Sequence, residues 1–166
     1  MSSPAVAVRV REDTHTYTSG DGTVFWAGGF APIYEDTDGE DHFVAVGEAL
    51  DDPRLLYCRV AGGNYRPDAL QDSRFDPGCG VRLQPEPDNR HDANAVAVWD
   101  ATGSVQVGYI PADHSAEVAS RIRAGEHLVG FVLREIRRGS QSGPRVSLHL
   151  LVMPAGELQM TIVEDD

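Results

Sequence analysis

The chain has 166 residues and a mass of 18.0 kDa, with 41% hydrophobic and 24% charged residues, so it is long enough to bury a core and too apolar for wholesale disorder. Its 26 acidic and 14 basic residues give a formal charge of −12 and a pI near 4.8. Every basic residue is Arg, which excludes a P-loop lysine, a Schiff-base lysine and any Lys-rich patch for nucleic acid or membrane.

The pattern is mostly strand. Val6 to Arg11 alternates apolar and other residues, and Gly20-Asp21-Gly22 makes a turn before a strand over Thr23–Trp26. Glu35 to Asp41 is acidic and reads as an exposed loop, His42–Val46 as a strand, and Asp51-Asp52-Pro53 as a break. A strand over Leu55–Ala61 ends at Gly62-Gly63, and Pro67–Gln71 forms a short helical turn with Pro67 at its first position. Val81–Gln84, Ala93–Trp99 and Val105–Ile110 are strands, the last two joined by the hairpin loop Asp100–Ser104. One full helix starts at Pro111, places Val118 and Ile122 on one face, and ends at Gly125. Val129–Ile136 and Arg145–Val152 are late strands, and the tail adds one more over Leu158–Val163. The fold class expected is mainly β, a small OB-like β-barrel with one α-helix, plus a β-rich N-terminal extension.

Charge divides the chain in the same way. Residues 1–56 hold eleven acids and three Arg, net −8; residues 57–153 hold eleven of each, net 0; residues 154–166 hold four acids and no Arg, net −4. This suggests an acidic extension (1–56), a neutral domain (57–153) and an acidic tail (154–166). No apolar signal core stands at the N-terminus and no apolar run approaches about 18 residues, so a cytoplasmic protein without membrane contact is expected. Cys58 and Cys79 stand alone, without a Cys-x-x-Cys, and read as buried or unreactive thiols.

The passage richest in chemistry is Pro85-Glu86-Pro87-Asp88-Asn89-Arg90-His91-Asp92-Ala93-Asn94, which crowds Asp, Asn and His into a proline-stiffened loop leading into a strand. Asp and Asn in such a loop also suit the capping of turns. Together with Val60-Ala61-Gly62-Gly63-Asn64-Tyr65-Arg66, Val81-Arg82-Leu83 and Val107-Gly108-Tyr109-Ile110-Pro111, this string resembles the HIRAN domain, a module of certain SWI/SNF-type DNA-repair helicases and of stand-alone bacterial proteins. The resemblance spans residues 57–153.

That resemblance implies a module that grips the 3′ end of single-stranded DNA in repair or processing. The sequence shows no nucleophile elbow, His-Glu-x-x-His string or Walker motif, so a protein that is not an enzyme and needs no cofactor or metal is expected. Asp92 resembles the carboxylate that contacts the 3′ hydroxyl. Asn89 and His91 resemble its polar and base-stacking neighbours, Tyr65 stands for the first-strand aromatic, and Tyr109 belongs to the Gly-Tyr-Ile-Pro segment. Where the family has a basic residue before the first aromatic, this chain has Asn64, and Pro111, Ala112 and Asp113 replace the basic residues after Gly-Tyr-Ile. Phosphate contacts therefore fall to Arg66, Arg82 and Arg90, giving a shallow salt dependence.

Two other readings compete. Acidic ends suit a protein partner with a basic surface, or a lid over the domain's own DNA site. Glu86, Asp88, His91 and Asp92 offer ligands for a metal-dependent phosphodiesterase, though their spacing is local and no distant carboxylate completes the set. Asp36 to Asp41 is taken as a solvated acidic turn rather than a calcium loop. Phe25, Trp26 and Phe30 are expected to cover an open side of the barrel, and Arg134, Arg137 and Arg138 to form a solvated basic loop.

Overall fold

The structure, a computed structural model, describes residues 5–164. Among these, the strands are β1 (Val6–Glu12), β2 (His15–Thr18), β3 (Val24–Glu35), β4 (Asp41–Phe43), β5 (Leu56–Arg59), β6 (Gly80–Pro85), β7 (Val96–Asp100), β8 (Gln106–Tyr109), β9 (Leu128–Arg138), β10 (Arg145–Pro154) and β11 (Leu158–Ile162). The helices are α1 (Pro67–Leu70) and α2 (Ala112–Arg123). The sheet runs β11-β1-β3-β9-β6-β7-β8 and is open rather than closed, an OB-like arrangement. Pairing is antiparallel except between β1 and β11, where Val6 to Val10 run parallel to Leu158 to Ile162.

β9 is the spine. One edge pairs with β10 over Leu128 to Arg137, and β10 in turn pairs with β5. The other edge is divided: Gly130 and Phe131 face β6, whereas Arg134 to Arg138 face β3. Strand alternation then sends successive side chains to two different cores. Cys58, Val132, Leu148, Leu150 and Val152 point into the first core, which α2 closes with Val118 and Ala119. Tyr57, Leu133, Leu151 and Met153 point the other way and are covered by Val6, Val8 and Val10 of β1. Residues 148–153 are thus apolar at almost every position because both faces of β10 are buried. The acidic extension and the tail strand β11 form the outer layer of this second core.

Most expected elements are present with shifted ends. β3 is the largest difference: it continues from Val24 through Gly28 and Gly29 to Glu35. Gly28 is required because a Cβ there would lie 2.2 Å from the Trp26 ring, which folds over it. Trp26 therefore covers its own strand, Phe25 stacks on Tyr17, and Phe30 packs on the second core. The strand expected over His42–Val46 stops at Phe43, and Val44 turns into the second core. α2 begins one residue later than expected, with Pro111 as its N-cap residue, and Gly125 follows its end with φ +99°. Cys58 is fully buried, which pushes its thiol up to about 12, and Cys79 is half-buried.

Arg134, Arg137 and Arg138 are not a solvated basic loop. They lie on β9, and Arg134 is buried, pairing with Asp13 Oδ2 at 3.0 Å. Arg137 pairs with Glu135, which also takes Arg145 at 2.7 Å. Arg145 is 1% exposed and donates further to the carbonyls of Leu70 and Asp72 and to Asp76. Only Arg138 of the three is exposed.

Candidate nucleic-acid interface

The loop between β6 and β7 is a pair of side-chain-capped turns. Asn89 Oδ1 accepts the backbone N–H groups of His91 and Asp92, at 2.9 and 3.1 Å. Asp92 Oδ1 then accepts the N–H of Asn94 at 2.8 Å. Such Asx turns hold the loop without regular structure, so both Asn89 and Asp92 serve the backbone as well as facing outward.

Three contacts fix the side chains from farther away. Glu86 Oε1 accepts both Asn89 Nδ2 and the Tyr109 hydroxyl, each at 3.0 Å. Ser115, buried on α2, donates its hydroxyl to Asp92 Oδ2 at 3.1 Å. Tyr109 and Ala61 exchange two backbone hydrogen bonds of 2.8 and 2.9 Å, tying the end of β8 to the chain just past β5. Gly108 permits this approach, since a Cβ there would stand 2.3 Å from the Ala61 carbonyl oxygen.

The result is a cleft of about 280 Å³ lined by Ala61, Asn89, His91, Asp92, Tyr109 and Ile110, among others. Four of the seven residues expected from the sequence meet here: Asn89, His91, Asp92 and Tyr109. The other three stand apart from its lining. Tyr65 and Arg66 follow Ala61 by a few residues, on and after a 3-10 turn (Gly63–Tyr65), and Tyr65 is 84% exposed. Arg90 is exposed at the loop tip. Arg82 does not belong to the site: its guanidinium donates to the Ala101 carbonyl at 3.2 Å and lies under Gly103 of the β7–β8 hairpin.

Of the four groups considered as metal ligands, Glu86 is occupied by Tyr109 and Asn89, Asp92 by Asn94 and Ser115, and Asp88 is exposed. Among the described residues, three such groups converge instead at Asp36, Glu40 and His42, on the exposed β3–β4 hairpin.

Sequence reasoning missed Glu86 and Ser115 as supports and Arg59 as a cation. Arg59 is exposed at the end of β5 and lines two further clefts, of about 480 and 310 Å³, both reaching Ala61. Among the described residues, the side chains of Arg59, Arg66 and Arg90 have no hydrogen-bond or ion-pair partner. The extension enters here too: Tyr17 and Phe25 line the larger of those clefts, and Val46 and Gly47 the smaller.

An open OB-like sheet, one helix closing its core and a polar, aromatic cleft at the strand ends define a small binding module. A family model described as the HIRAN domain matches residues 54–150, over half of the chain, and the chain belongs to that family of nucleic-acid-binding domains. The chain is similar to a crystal structure of a protein from Lactobacillus plantarum, at 27% identity and TM-score 0.46, covering 58% of this chain and 89% of that one. It is also similar to the HIRAN domain of human HLTF, at 23% identity and TM-score 0.44, covering 59% and 74%. No curated protein matches the chain. Among the described residues, no helix is long and apolar enough to cross a membrane.

Proposed function

We propose that this protein binds the 3′ end of single-stranded DNA and serves in repair or end processing. The observation that carries the reading is the half-buried Asp92 carboxylate set among Asn89, His91 and Tyr109 in one cleft. A carboxylate accepts a hydrogen bond from a 3′ hydroxyl, and it repels a 3′ phosphate. His91 and Tyr109 offer ring faces to unpaired bases, each stacked base contributing about 1–3 kcal/mol with little sequence preference. The free guanidiniums of Arg59, Arg66 and Arg90 are available to phosphates. Three contacts give a salt slope of only about −2 for a single strand, so stacking and end recognition carry most of the affinity.

Fluorescence-anisotropy titration of labelled single strands ending in 3′ hydroxyl or 3′ phosphate tests this. Tighter binding of the hydroxyl end is expected. Equal binding of both, or none, overturns the reading.

A further inference from the structure

A second cleft lies beside the first and is built partly by the N-terminal extension. Its volume is about 480 Å³, and its wall includes Tyr17, Phe25, Arg59, Asn64 and Ser147. Tyr17 on β2 sits directly opposite Phe25 on β3, with ring centroids 5.5 Å apart and planes 29° from parallel. All four residues of β2 are exposed, and Tyr17 is 42% exposed, so its ring has no part in either core. Arg59 faces the same cleft with an unpartnered guanidinium. The Ser147 hydroxyl is shielded from solvent and, among the described residues, has no hydrogen-bond partner. Stacked aromatic rings and a free cation in one open cleft match the base and the phosphate of a nucleotide.

Ala61 lines both this cleft and the one containing Asp92. A strand whose last two nucleotides occupy the Asp92 cleft, on His91 and Tyr109, would reach the neighbouring cleft with its next nucleotide. We propose that the extension supplies a second nucleotide subsite, in which Tyr17 and Phe25 stack a base upstream of the 3′ end and Arg59 holds its phosphate. This inference rests on the proposed function above and lengthens its footprint. It also gives the acidic extension a part in binding, since the rings it contributes are uncharged.

The test compares oligothymidylates of two and six nucleotides, each ending in a 3′ hydroxyl, on the full chain. The wild type is expected to bind the hexamer at least about tenfold more tightly than the dimer, from one or more added stacks. Tyr17→Ala removes about tenfold of the hexamer affinity and none of the dimer affinity, whereas Tyr17→Phe binds both as the wild type does. Arg59→Gln weakens the hexamer and lowers its salt slope by about 0.7, the share of one phosphate. Thermal melting of each variant is expected at the wild-type temperature, because both side chains are exposed. Binding that keeps its 3′-hydroxyl preference but is indifferent to length and to Tyr17 overturns this inference alone. Failure of the wild type to bind either oligomer overturns it together with the reading it rests on.

Discussion

The Ser115 hydroxyl, on a helix, donates to Asp92 Oδ2, in a loop 23 residues earlier, at 3.1 Å. Since Asp92 Oδ1 is held by Asn94, the carboxylate is fixed at both oxygens while lone pairs on each remain for a ligand.

Asp92→Asn is the informative substitution. It keeps an acceptor for the Asn94 N–H and removes the negative charge. We expect the preference for 3′ hydroxyl over 3′ phosphate to vanish, with a stability change below about 1 kcal/mol. Asp92→Ala would also break the turn and the Ser115 contact, at about 1–3 kcal/mol. Anisotropy and urea denaturation on the same preparations separate the two effects; an unchanged preference in the Asn variant would count against Asp92 as the end-reading group.

Gly108→Ala tests the strand junction. The added methyl would collide with the Ala61 carbonyl, so the Ala61–Tyr109 bridge must open. A loss of about 1–3 kcal/mol is expected, as for other overpacked sites, with loss of binding because Tyr109 is displaced. A variant that melts and binds like the wild type would show that the junction is not needed.

Asp13 and Arg134 fasten the extension to β9. Removing the acid in Asp13→Ala leaves Arg134 with the Asp13 backbone carbonyl, at 3.3 Å, as its remaining partner, a nearly unpaired buried charge. Because Asp13 is itself partly exposed, the expected cost is about 2–3 kcal/mol, below that of a fully buried pair. Asp13→Asn should recover part of it, and chemical denaturation measures both.

His149 makes stability depend on pH. Burial, with the positive charges of Arg59 and Arg134 adding to it, holds its pKa down to about 4, and its Nδ1 meets the Tyr57 hydroxyl at 3.1 Å. The folded state favours neutral His149, so the stability it contributes is complete above about pH 6.5 and declines as pH falls toward 4. Between pH 7 and 5 the expected loss is about 2 kcal/mol. Urea midpoints of the wild type and of His149→Gln at the two values test this: the variant should lose less, and parallel losses would refute it.

Local pattern was legible where side chains alternate toward one core. The apolar run Val6, Val8, Val10 marks β1, and Val118 with Ile122 marks α2. β2 escaped because all four of its residues face solvent and leave no periodicity to read. β3 was cut short because Gly28 and Gly29 look like a turn, whereas Gly28 is demanded by the Trp26 ring. The convergence of Asn89, His91 and Asp92 followed from their shared loop. Glu86 and Ser115 reach their partners Tyr109 and Asp92 across 23 residues each, a relation that exists only once β8 and α2 are packed.

The divided edge of β9 bears on how the acidic extension acts. To swing away, it would have to break the β3 ladder from Phe25 to Gly29 and expose Tyr57, Leu133, Leu151 and Met153 to water. That is unfolding, not gating. The negative charge of residues 1–56 is a standing field anchored to the same strand as the binding domain, imposing a constant toll on every approaching polyanion. Salt therefore has two opposite effects on association, weakening the few phosphate contacts and relaxing this repulsion, and the net dependence should be flatter than three arginines alone predict.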